Sequence, residues 1–253
     1  MAEPVPLNAA PVSGDRKKRL ILVIDNDAGH LYYSSILLQR LEYNIHTSKT
    51  EQEALEVMEI ALPELILTEL SPGGTDGAEF LRMIKRNPRT QAIPVIILTS
   101  SKNPIARETC LKEGCAAYLS KPVDPDALYA AIQKATEARP RSYIRLHTCL
   151  NVIVGDEKLE QDMLDDCVTA LSENGVYVST AKLKPAGFRV PVTLFIGNSR
   201  IQTEGIVLYS FQPGQGPLKT QGMGIKFASI RPEDKNLIRE FIRKTLTKDL
   251  TMG

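Results

Sequence analysis

Polar side chains follow four of the apolar runs in the first half of the chain, at the point where each run ends. Carboxylates favour cations, whereas a hydroxyl and an ammonium can donate hydrogen bonds to an anion. Any single polar residue at the end of a run is ordinary, but four complementary groups at four ends favour a binding pocket. In chain order they are Asp25, Asn26 and Asp27, then Glu69, then Thr99, and finally Lys121.

The elements that must bring these residues together alternate between strand and helix. Five short apolar runs, typical of buried parallel strands, alternate with five segments of helical periodicity over about 120 residues. This order predicts an α/β fold with a doubly wound, parallel, five-stranded sheet. In such sheets binding sites lie at the carboxyl ends of the strands, where the polar residues are found.

Composition excludes several classes of protein. The chain has 253 residues, a formal net charge of +1 and 43% hydrophobic residues, which predicts globular domains without a general nucleic-acid or membrane footprint. No apolar run approaches the ~20 residues of a membrane span. The four cysteines and three histidines lack metal-ligand spacing, so we expect reduced, mostly structural thiols in a cytoplasmic protein. Residues 1–18, rich in Pro and Ala, are expected to form a flexible tail without a signal peptide.

Residues 19–138 resemble a bacterial response-regulator receiver domain of two-component signalling. The resemblance rests on "ILVIDND", "ELILTELSPGGTDG", "PVIILTSS" and "GCAAYLSKP", which occur in the family's order and spacing. It implies a phosphoryl-acceptor position at Glu69 and a metal position at Asp25 and Asn26, with Asp27 beside it. It also implies that Thr99 and Lys121 contact phosphoryl oxygens, that Tyr118 is the aromatic that rotates on activation, and that the Lys121–Pro122 bond is cis.

Two residues depart from the receiver pattern. Glu69 replaces the acceptor aspartate and extends the carboxylate by roughly 1.5 Å, towards Lys121 and Thr99. Asn26 replaces a metal-binding acid, which weakens a site for magnesium because this ion prefers anionic oxygens. We therefore expect no bound metal and a Glu69–Lys121 ion pair that holds one state without phosphorylation. The alternative is a receiver that has lost its chemistry and serves only as a docking scaffold.

The second half of the chain changes pattern after Arg139 and Pro140 and predicts a small β-barrel with a terminal helix over residues 139–253. Six strand-like segments are joined by Gly-rich turns, and Gly205 within one of them predicts a bulge or bend. An apolar stripe marks the terminal helix. Its members are Leu237, Ile238, Phe241, Ile242 and Leu246.

This half resembles the PilZ domain, a bacterial module associated with cyclic di-GMP. The resemblance rests on "RSYIR", "ALSENG", "VPVTLFI", "EGIVLYS" and "GMGIKF". It implies that cyclic di-GMP is bound by Arg141 and Arg145 of an Arg-x-x-x-Arg segment and by Ser172 and Gly175, with Arg139 as a further contact. Guanidinium groups suit this ligand because they bind phosphate and guanine edges through paired hydrogen bonds. The alternative for two arginines at this spacing is a solvated surface.

The PilZ motif is incomplete, since Ala170 stands where the family has Asp or Asn. Alanine can neither donate nor accept the hydrogen bond of that position. One lost bond weakens binding by roughly 2- to 150-fold, depending on whether the partner is charged. We expect weakened binding; the alternative is lost binding if none of Ser172, Glu173 and Asn174 compensates.

Together these patterns predict a non-catalytic, cytoplasmic signalling adaptor. Its pseudo-receiver works independently of phosphorylation, and its PilZ domain binds cyclic di-GMP and acts through protein partners rather than nucleic acid or membrane. The alternative is a docking scaffold in which both sites are degenerate. An enzyme is not expected, because no nucleophile arrangement, phosphate loop or metal cluster is present in the sequence. Leu128, Tyr129 and Ile132 on the last receiver helix indicate either core packing or a homodimer face.

Overall fold

The computed structural model of the protein describes residues 19–70, 77–101, 103–155, 166–216 and 219–250. The chain divides into two compact units, with boundaries between Ser142 and Tyr143 and between Thr245 and Leu246. Among the described residues, we call residues 19–142 and 246–250 the α/β unit and residues 143–245 the barrel unit. The predicted tail, residues 1–18, and most of the acidic segment between the first two barrel strands lie outside the described residues.

The α/β unit contains five strands alternating with five helices, as predicted. Its parallel sheet has the strand order β2-β1-β3-β4-β5, the doubly wound arrangement expected from the sequence. The strands are β1 (Leu20–Ile24), β2 (Asn44–Ser48), β3 (Leu65–Thr68), β4 (Val95–Thr99) and β5 (Ala117–Ser120). The helices are α1 (Ala28–Arg40), α2 (Glu51–Ile60), α3 (Gly77–Arg86), α4 (Pro104–Lys112) and α5 (Pro125–Thr136).

Local sequence signals fix where these helices begin. The Thr50 hydroxyl accepts a hydrogen bond from the Glu53 amide at 3.2 Å, which is the predicted cap of α2. The Asp124 carboxylate accepts hydrogen bonds from two amides at the start of α5, and Pro125 occupies the first helical position. Each cap satisfies amides that have no partner within the helix.

Strands β1, β3 and β4 form the centre of the core, because helices cover both faces of the sheet. Every residue of β3 and β4 is buried. On α5, Leu128, Tyr129 and Ile132 are at most 2% exposed, which confirms core packing rather than an exposed homodimer face at these residues.

The barrel unit is a closed six-stranded antiparallel barrel with the strand order β10-β11-β8-β7-β6-β9, as predicted. The strands are β6 (Leu146–Val154), β7 (Cys167–Ser172), β8 (Gly175–Ser179), β9 (Arg189–Ile196), β10 (Ser199–Phe211) and β11 (Gly222–Phe227). The terminal helix is α6 (Pro232–Thr247), and the buried members of its predicted stripe are Ile238, Ile242 and Leu246.

The prediction of a bulge or bend at Gly205 is wrong. The register between β10 and β11 shifts between Val207 and Tyr209, whereas Gly205 is regularly paired with Phe227. A Cβ atom at position 205 would lie 2.4 Å from a methyl group of Ile225 and 3.0 Å from one of Val192. The glycine is therefore required by close packing inside the barrel rather than by backbone geometry.

Within the described residues, no helix combines the length and the apolar character needed to cross a membrane.

Candidate functional site

The predicted phosphoryl pocket lies at the carboxyl edge of the sheet. The Glu69 amide donates to the Ile24 carbonyl at 2.9 Å, which places the residue after β3 beside the end of β1. The Lys121 amide donates to the Thr99 carbonyl at 2.8 Å, which ties the residue after β5 to the end of β4. Parallel pairing thus aligns these ends along one edge.

Lys121 is the centre of this pocket. Its Nζ contacts Oε2 of Glu69 and lies 2.5 Å from Oδ2 of Asp25. The three side chains are 7%, 16% and 6% exposed, respectively, so the ion pairs are largely shielded from water. The Glu69–Lys121 ion pair expected from the sequence is present, and the Lys121–Pro122 bond is cis, as predicted.

All four oxygens of the two carboxylates already have a donor. Oδ1 of Asp25 accepts from the Asp27 amide at 3.0 Å, and Oε1 of Glu69 accepts from the Leu70 amide at 2.7 Å. The other two oxygens contact Lys121. Magnesium would have to displace the ammonium from both carboxylates, and Asn26 offers it only an amide oxygen. This donor set does not fit the metal that receiver chemistry requires.

Asn26 and Asp27 lie at the solvent side of the pocket, where both are exposed. Oδ1 of Asp27 accepts from the His30 amide at 2.8 Å and caps α1. This backbone hydrogen bond lowers the pKa of Asp27 below its ordinary value of 3.8. Asp27 therefore acts on the start of α1, and the structure gives it no contact with Glu69.

His30 is a pocket residue that the sequence analysis missed. Its Nδ1 lies 3.2 Å from Nζ of Lys121 and 3.7 Å from Oδ2 of Asp25. The first turn of α1 follows directly after β1, so the third helical residue faces the same edge as Asp25. The sequence signal that could have identified His30 is its position three residues after Asp27.

Thr99 and Tyr118 lie near the pocket, but their side chains contact residues other than Lys121, Asp25 and Glu69. The Thr99 hydroxyl accepts from the Ser101 amide at 3.1 Å, and the residue is 2% exposed. The Tyr118 ring packs against the core cluster that contains Cys110 and Ile97. Burial raises the pKa of Tyr118, and the neighbouring Cys110 thiol raises it further. The Thr99 contact therefore lies within the segment that follows β4, and the Tyr118 ring contacts the core.

The predicted dinucleotide residues of the barrel unit converge at one end of strands β6, β7 and β8. Leu146, the first residue of β6, pairs with Leu171, and this last pair of the ladder is flanked in sequence by Arg145 and Ser172. Ser172 pairs in turn with Gly175 across the β7–β8 turn. Arg145 is exposed, and within the described residues no hydrogen bond or ion pair engages its side chain.

Arg139 and Arg141 precede the change of unit. Arg139 is exposed, and Arg141 is half-buried. The Arg141 amide donates to Oε1 of Gln133 at 3.1 Å, which fixes the backbone of this segment against α5.

Ser172 and Gly175 also have structural roles in the barrel. The Ser172 hydroxyl donates to the Gly175 carbonyl at 3.1 Å and closes the turn. A Cβ atom at position 175 would lie 2.3 Å from the Ile225 carbonyl oxygen, so only glycine fits beside β11. These two residues would therefore be needed in this barrel even without a ligand.

Glu173 is the second residue whose role the sequence did not reveal. Its carboxylate, 8% exposed, receives two hydrogen bonds of 2.8 Å from the Arg239 guanidinium of α6. Lys235 approaches the same carboxylate to 3.9 Å, and its ammonium lies 5.0 Å from the centre of the Tyr143 ring. The turn between Ser172 and Gly175 is thereby fastened to α6, and Glu173 is not available to replace the missing polar group.

Ala170, the departure from the PilZ motif, lies within β7 between His147 of β6 and Tyr177 of β8. It is half-buried. Within the described residues, no group of three or more His, Cys, Asp or Glu side chains could hold a metal ion.

Comparison with known proteins concerns the α/β unit. Residues 21–133 match the family model of the response regulator receiver domain. Transcriptional regulatory protein ZraR of Escherichia coli (strain K12) is 35% identical over 116 residues, which are 46% of this chain and 26% of ZraR. The chain thus spans about a quarter of the length of that relative. An uncharacterised 14.6 kDa protein of Leptolyngbya boryana is 29% identical over 120 residues, 92% of its length.

Among solved structures, a response regulator receiver domain protein from Clostridium thermocellum has 29% sequence identity and a TM-score of 0.43. The alignment covers 47% of this chain and 94% of that one. The family match and the five-stranded parallel sheet concern the same part of the chain. Residues 21–133 therefore form a response regulator receiver domain.

Proposed function

We propose that the protein is a non-catalytic signalling adaptor whose receiver domain works without phosphorylation and whose barrel unit binds cyclic di-GMP. The observation that carries the first part is the Lys121 ammonium held between Asp25 and Glu69. This arrangement places a fixed cation where a receiver would bind magnesium, and it engages the carboxylate at the acceptor position.

Phosphorylation would require Glu69 to act as a nucleophile with magnesium neutralising the incoming phosphoryl group. Oε1 of Glu69 accepts from a backbone amide and Oε2 contacts Lys121, so both oxygens are engaged. Phosphorylation would therefore break both contacts of Glu69 in a pocket that is mostly closed to water. The reaction supplies no contacts that replace them. The packed Tyr118 ring and the bound Thr99 hydroxyl also favour a single fixed state.

The second part rests on the end of the barrel where the paired residues Leu146 and Leu171 are flanked in sequence by Arg145 and Ser172. An exposed guanidinium beside a turn with a hydroxyl and a glycine is suited to a ligand that carries phosphates and guanines. Arg141 precedes Arg145 by four residues, and Arg139 adds a third cation. Because Ala170 offers no polar group, the affinity is expected to be roughly 2- to 150-fold below that of a complete motif.

A calorimetric titration of cyclic di-GMP into the full chain tests this function. We expect binding in the micromolar range that is lost in the double variant Arg141→Ala, Arg145→Ala. Arg189→Ala serves as the matched control, because Arg189 is an exposed arginine on the same barrel and pairs with Glu204 instead. Unchanged binding in the double variant would refute the assignment of the arginines.

The second candidate is a docking scaffold that binds neither phosphoryl groups nor dinucleotide. One observation favours this candidate. The hydrogen bond across the turn explains Ser172, and the close approach of β11 explains Gly175, so neither residue requires a ligand. No heat of binding at millimolar cyclic di-GMP would select this candidate.

In both candidates the output is contact with protein partners in the cytoplasm, with homodimerisation as one form of it. ZraR is by name a transcriptional regulator, but the match covers 26% of its length. We do not extend that role to this chain, and the proposal includes no nucleic-acid or membrane partner and no catalysis.

A further inference from the structure

Two of the four cysteines meet on the outside of the barrel. Cys167, the first residue of β7, pairs with Asn151 of β6, and Cys149 lies two residues before Asn151 on that strand. Residues two apart on a strand face the same side, so Cys149 and Cys167 are diagonal neighbours. Burial raises the pKa of Cys167, and the neighbouring Cys149 thiol raises it further.

This pair differs from the other two cysteines in its access to solvent. Cys110 and Cys115 are 1% and 7% exposed within the core of the α/β unit, and burial raises the pKa of Cys115 to about 11. Such thiols are inert, since the thiolate is the reactive form. Cys149 is exposed and Cys167 is half-buried, so solutes reach the first thiol more readily than the second.

We propose that Cys149 and Cys167 are an oxidation site, a dithiol that closes to a disulfide when a peroxide reaches Cys149. The site is independent of the proposed dinucleotide function and of the receiver pocket. Neither thiol takes part in either of them.

The reaction has two balanced steps. The Cys149 thiolate attacks one oxygen of the peroxide, the O–O bond breaks, and Cys149 becomes a sulfenic acid while hydroxide, or the corresponding alkoxide, leaves. The Cys167 thiolate then attacks the Cys149 sulfur, an S–S bond forms, and hydroxide leaves and takes up the proton that Cys167 released. The two thiols are oxidised by two electrons, and the peroxide is reduced.

The order of the two cysteines follows from their surroundings. Cys149 is attacked first because it is the exposed thiol. Cys167 is less exposed, and burial, together with the neighbouring Cys149, raises its pKa, which disfavours its direct reaction with a peroxide. This is the arrangement of an attacked and a resolving cysteine.

Closing the disulfide requires the backbone at Cys149 to move towards Cys167. A disulfide needs Cα atoms within about 4.4–6.8 Å, closer than the usual ~7–8 Å of a diagonal pair. The register between β6 and β7 is irregular between His147 and Leu150, the stretch that contains Cys149. An irregular ladder leaves this backbone freer to shift than a regular one.

The test treats the full chain with hydrogen peroxide, blocks remaining thiols by alkylation, and maps the products by mass spectrometry. We expect one intramolecular cross-link between Cys149 and Cys167, two hydrogens lighter than the separate peptides, which dithiothreitol reverses. Cys110 and Cys115 serve as internal controls and should be alkylated only after unfolding.

Two variants distinguish this site from general oxidation. Cys167→Ser should leave Cys149 as a sulfenic acid that dimedone traps at least tenfold more than in the wild type. Cys149→Ser should leave Cys167 reduced under the same peroxide. Equal trapping of Cys149 with and without Cys167, or cross-links only between separate chains, would overturn the proposal.

Discussion

The pocket of the α/β unit and the end of the barrel unit both carry charges at positions predicted to bind a ligand, but they differ in how those charges are satisfied. In the pocket, Asp25 and Glu69 share one buried ammonium, and every carboxylate oxygen has a donor. At the end of the barrel, Arg145 is exposed, and among the described residues its side chain has neither an ion pair nor a hydrogen bond.

This difference indicates where a ligand can act. Buried charges that already pair with one another bind a ligand weakly, because the ligand must first break the contacts between them. An exposed guanidinium loses only water when it binds an anion. We therefore expect signals to enter through the barrel unit, while the pocket keeps the receiver domain in one state.

The largest expected effect is that of Lys121→Met, which removes the ammonium that pairs with both carboxylates of the pocket. Methionine keeps the volume but leaves two shielded carboxylates without a cation, so we expect a loss of about 3–5 kcal/mol in the free energy of unfolding. Magnesium should then stabilise the variant and leave the wild type unchanged. Chemical denaturation with and without magnesium measures both effects.

Lys112→Met is the matched control for this experiment. Its ammonium pairs with Glu108, but both side chains are more than two-thirds exposed. We expect a change of about 0.5 kcal/mol or less and no response to magnesium. A wild-type protein that magnesium stabilises as strongly as the Lys121 variant would show that the pocket is not closed.

The next effect concerns a buried charge of the barrel unit. Arg239→Ala leaves the Glu173 carboxylate with Lys235 alone, at 3.9 Å. We expect a loss of roughly 2–3 kcal/mol, below the ~3–5 kcal/mol for a pair without a second cation. Lys244→Ala on the same helix is the control, since its pair with Glu240 is exposed. Equal stabilities of the two variants in urea unfolding would show that the Glu173 contacts contribute nothing.

A smaller effect is expected on the affinity of the barrel unit for cyclic di-GMP. Ala170→Asn restores a polar group at the incomplete motif position, and one new hydrogen bond should strengthen cyclic di-GMP binding by about 0.5–1.5 kcal/mol. Calorimetry compares this variant with Ala181→Asn, which places the same side chain on an exposed position after β8. An unchanged affinity would mean that position 170 does not face the ligand.

The smallest effect lies at the rim of the pocket. The pKa of Asp27 is lowered in the folded protein, so its charge stabilises the fold above the unfolded value of 3.8, and this contribution is lost as the pH falls below it. Asp27→Asn keeps the cap of α1 but not the charge. Its melting temperature should be slightly lower than that of the wild type at pH 7, and the difference should shrink as the pH falls from 3.8 through the lower pKa of the folded protein. A difference that stays constant as the pH falls would contradict this assignment.

The sequence predicted the architecture well because each element carries a local signal. Apolar runs of strand length, Thr50 and Asp124 as caps, and Pro125 at a first helical position all agree with the alternating order of the α/β unit. The polar residues at the ends of the strands followed from this topology. Even the Glu69–Lys121 ion pair could be expected, because the longer side chain reaches across the strand ends.

Contacts between segments far apart in sequence could not be predicted in the same way. Glu173 and Arg239 are separated by 66 positions, and only the folded barrel shows that they meet. Gly205 was misinterpreted because a glycine in a strand signals either a bulge or a close contact, and the choice depends on Ile225 of another strand. His30 was overlooked because it belongs to a helix, although that helix starts at the pocket.

The most direct test of the central claim compares the two units by one measurement. It records the melting temperature of the full chain with a ligand for each unit. Beryllium fluoride with magnesium mimics a phosphoryl group at the pocket, and cyclic di-GMP probes the barrel. A ligand at about 100 times its dissociation constant stabilises the protein by ~2.7 kcal/mol. The account predicts a rise of several degrees with cyclic di-GMP and none with beryllium fluoride. A rise with beryllium fluoride and magnesium, and none with cyclic di-GMP, would contradict it.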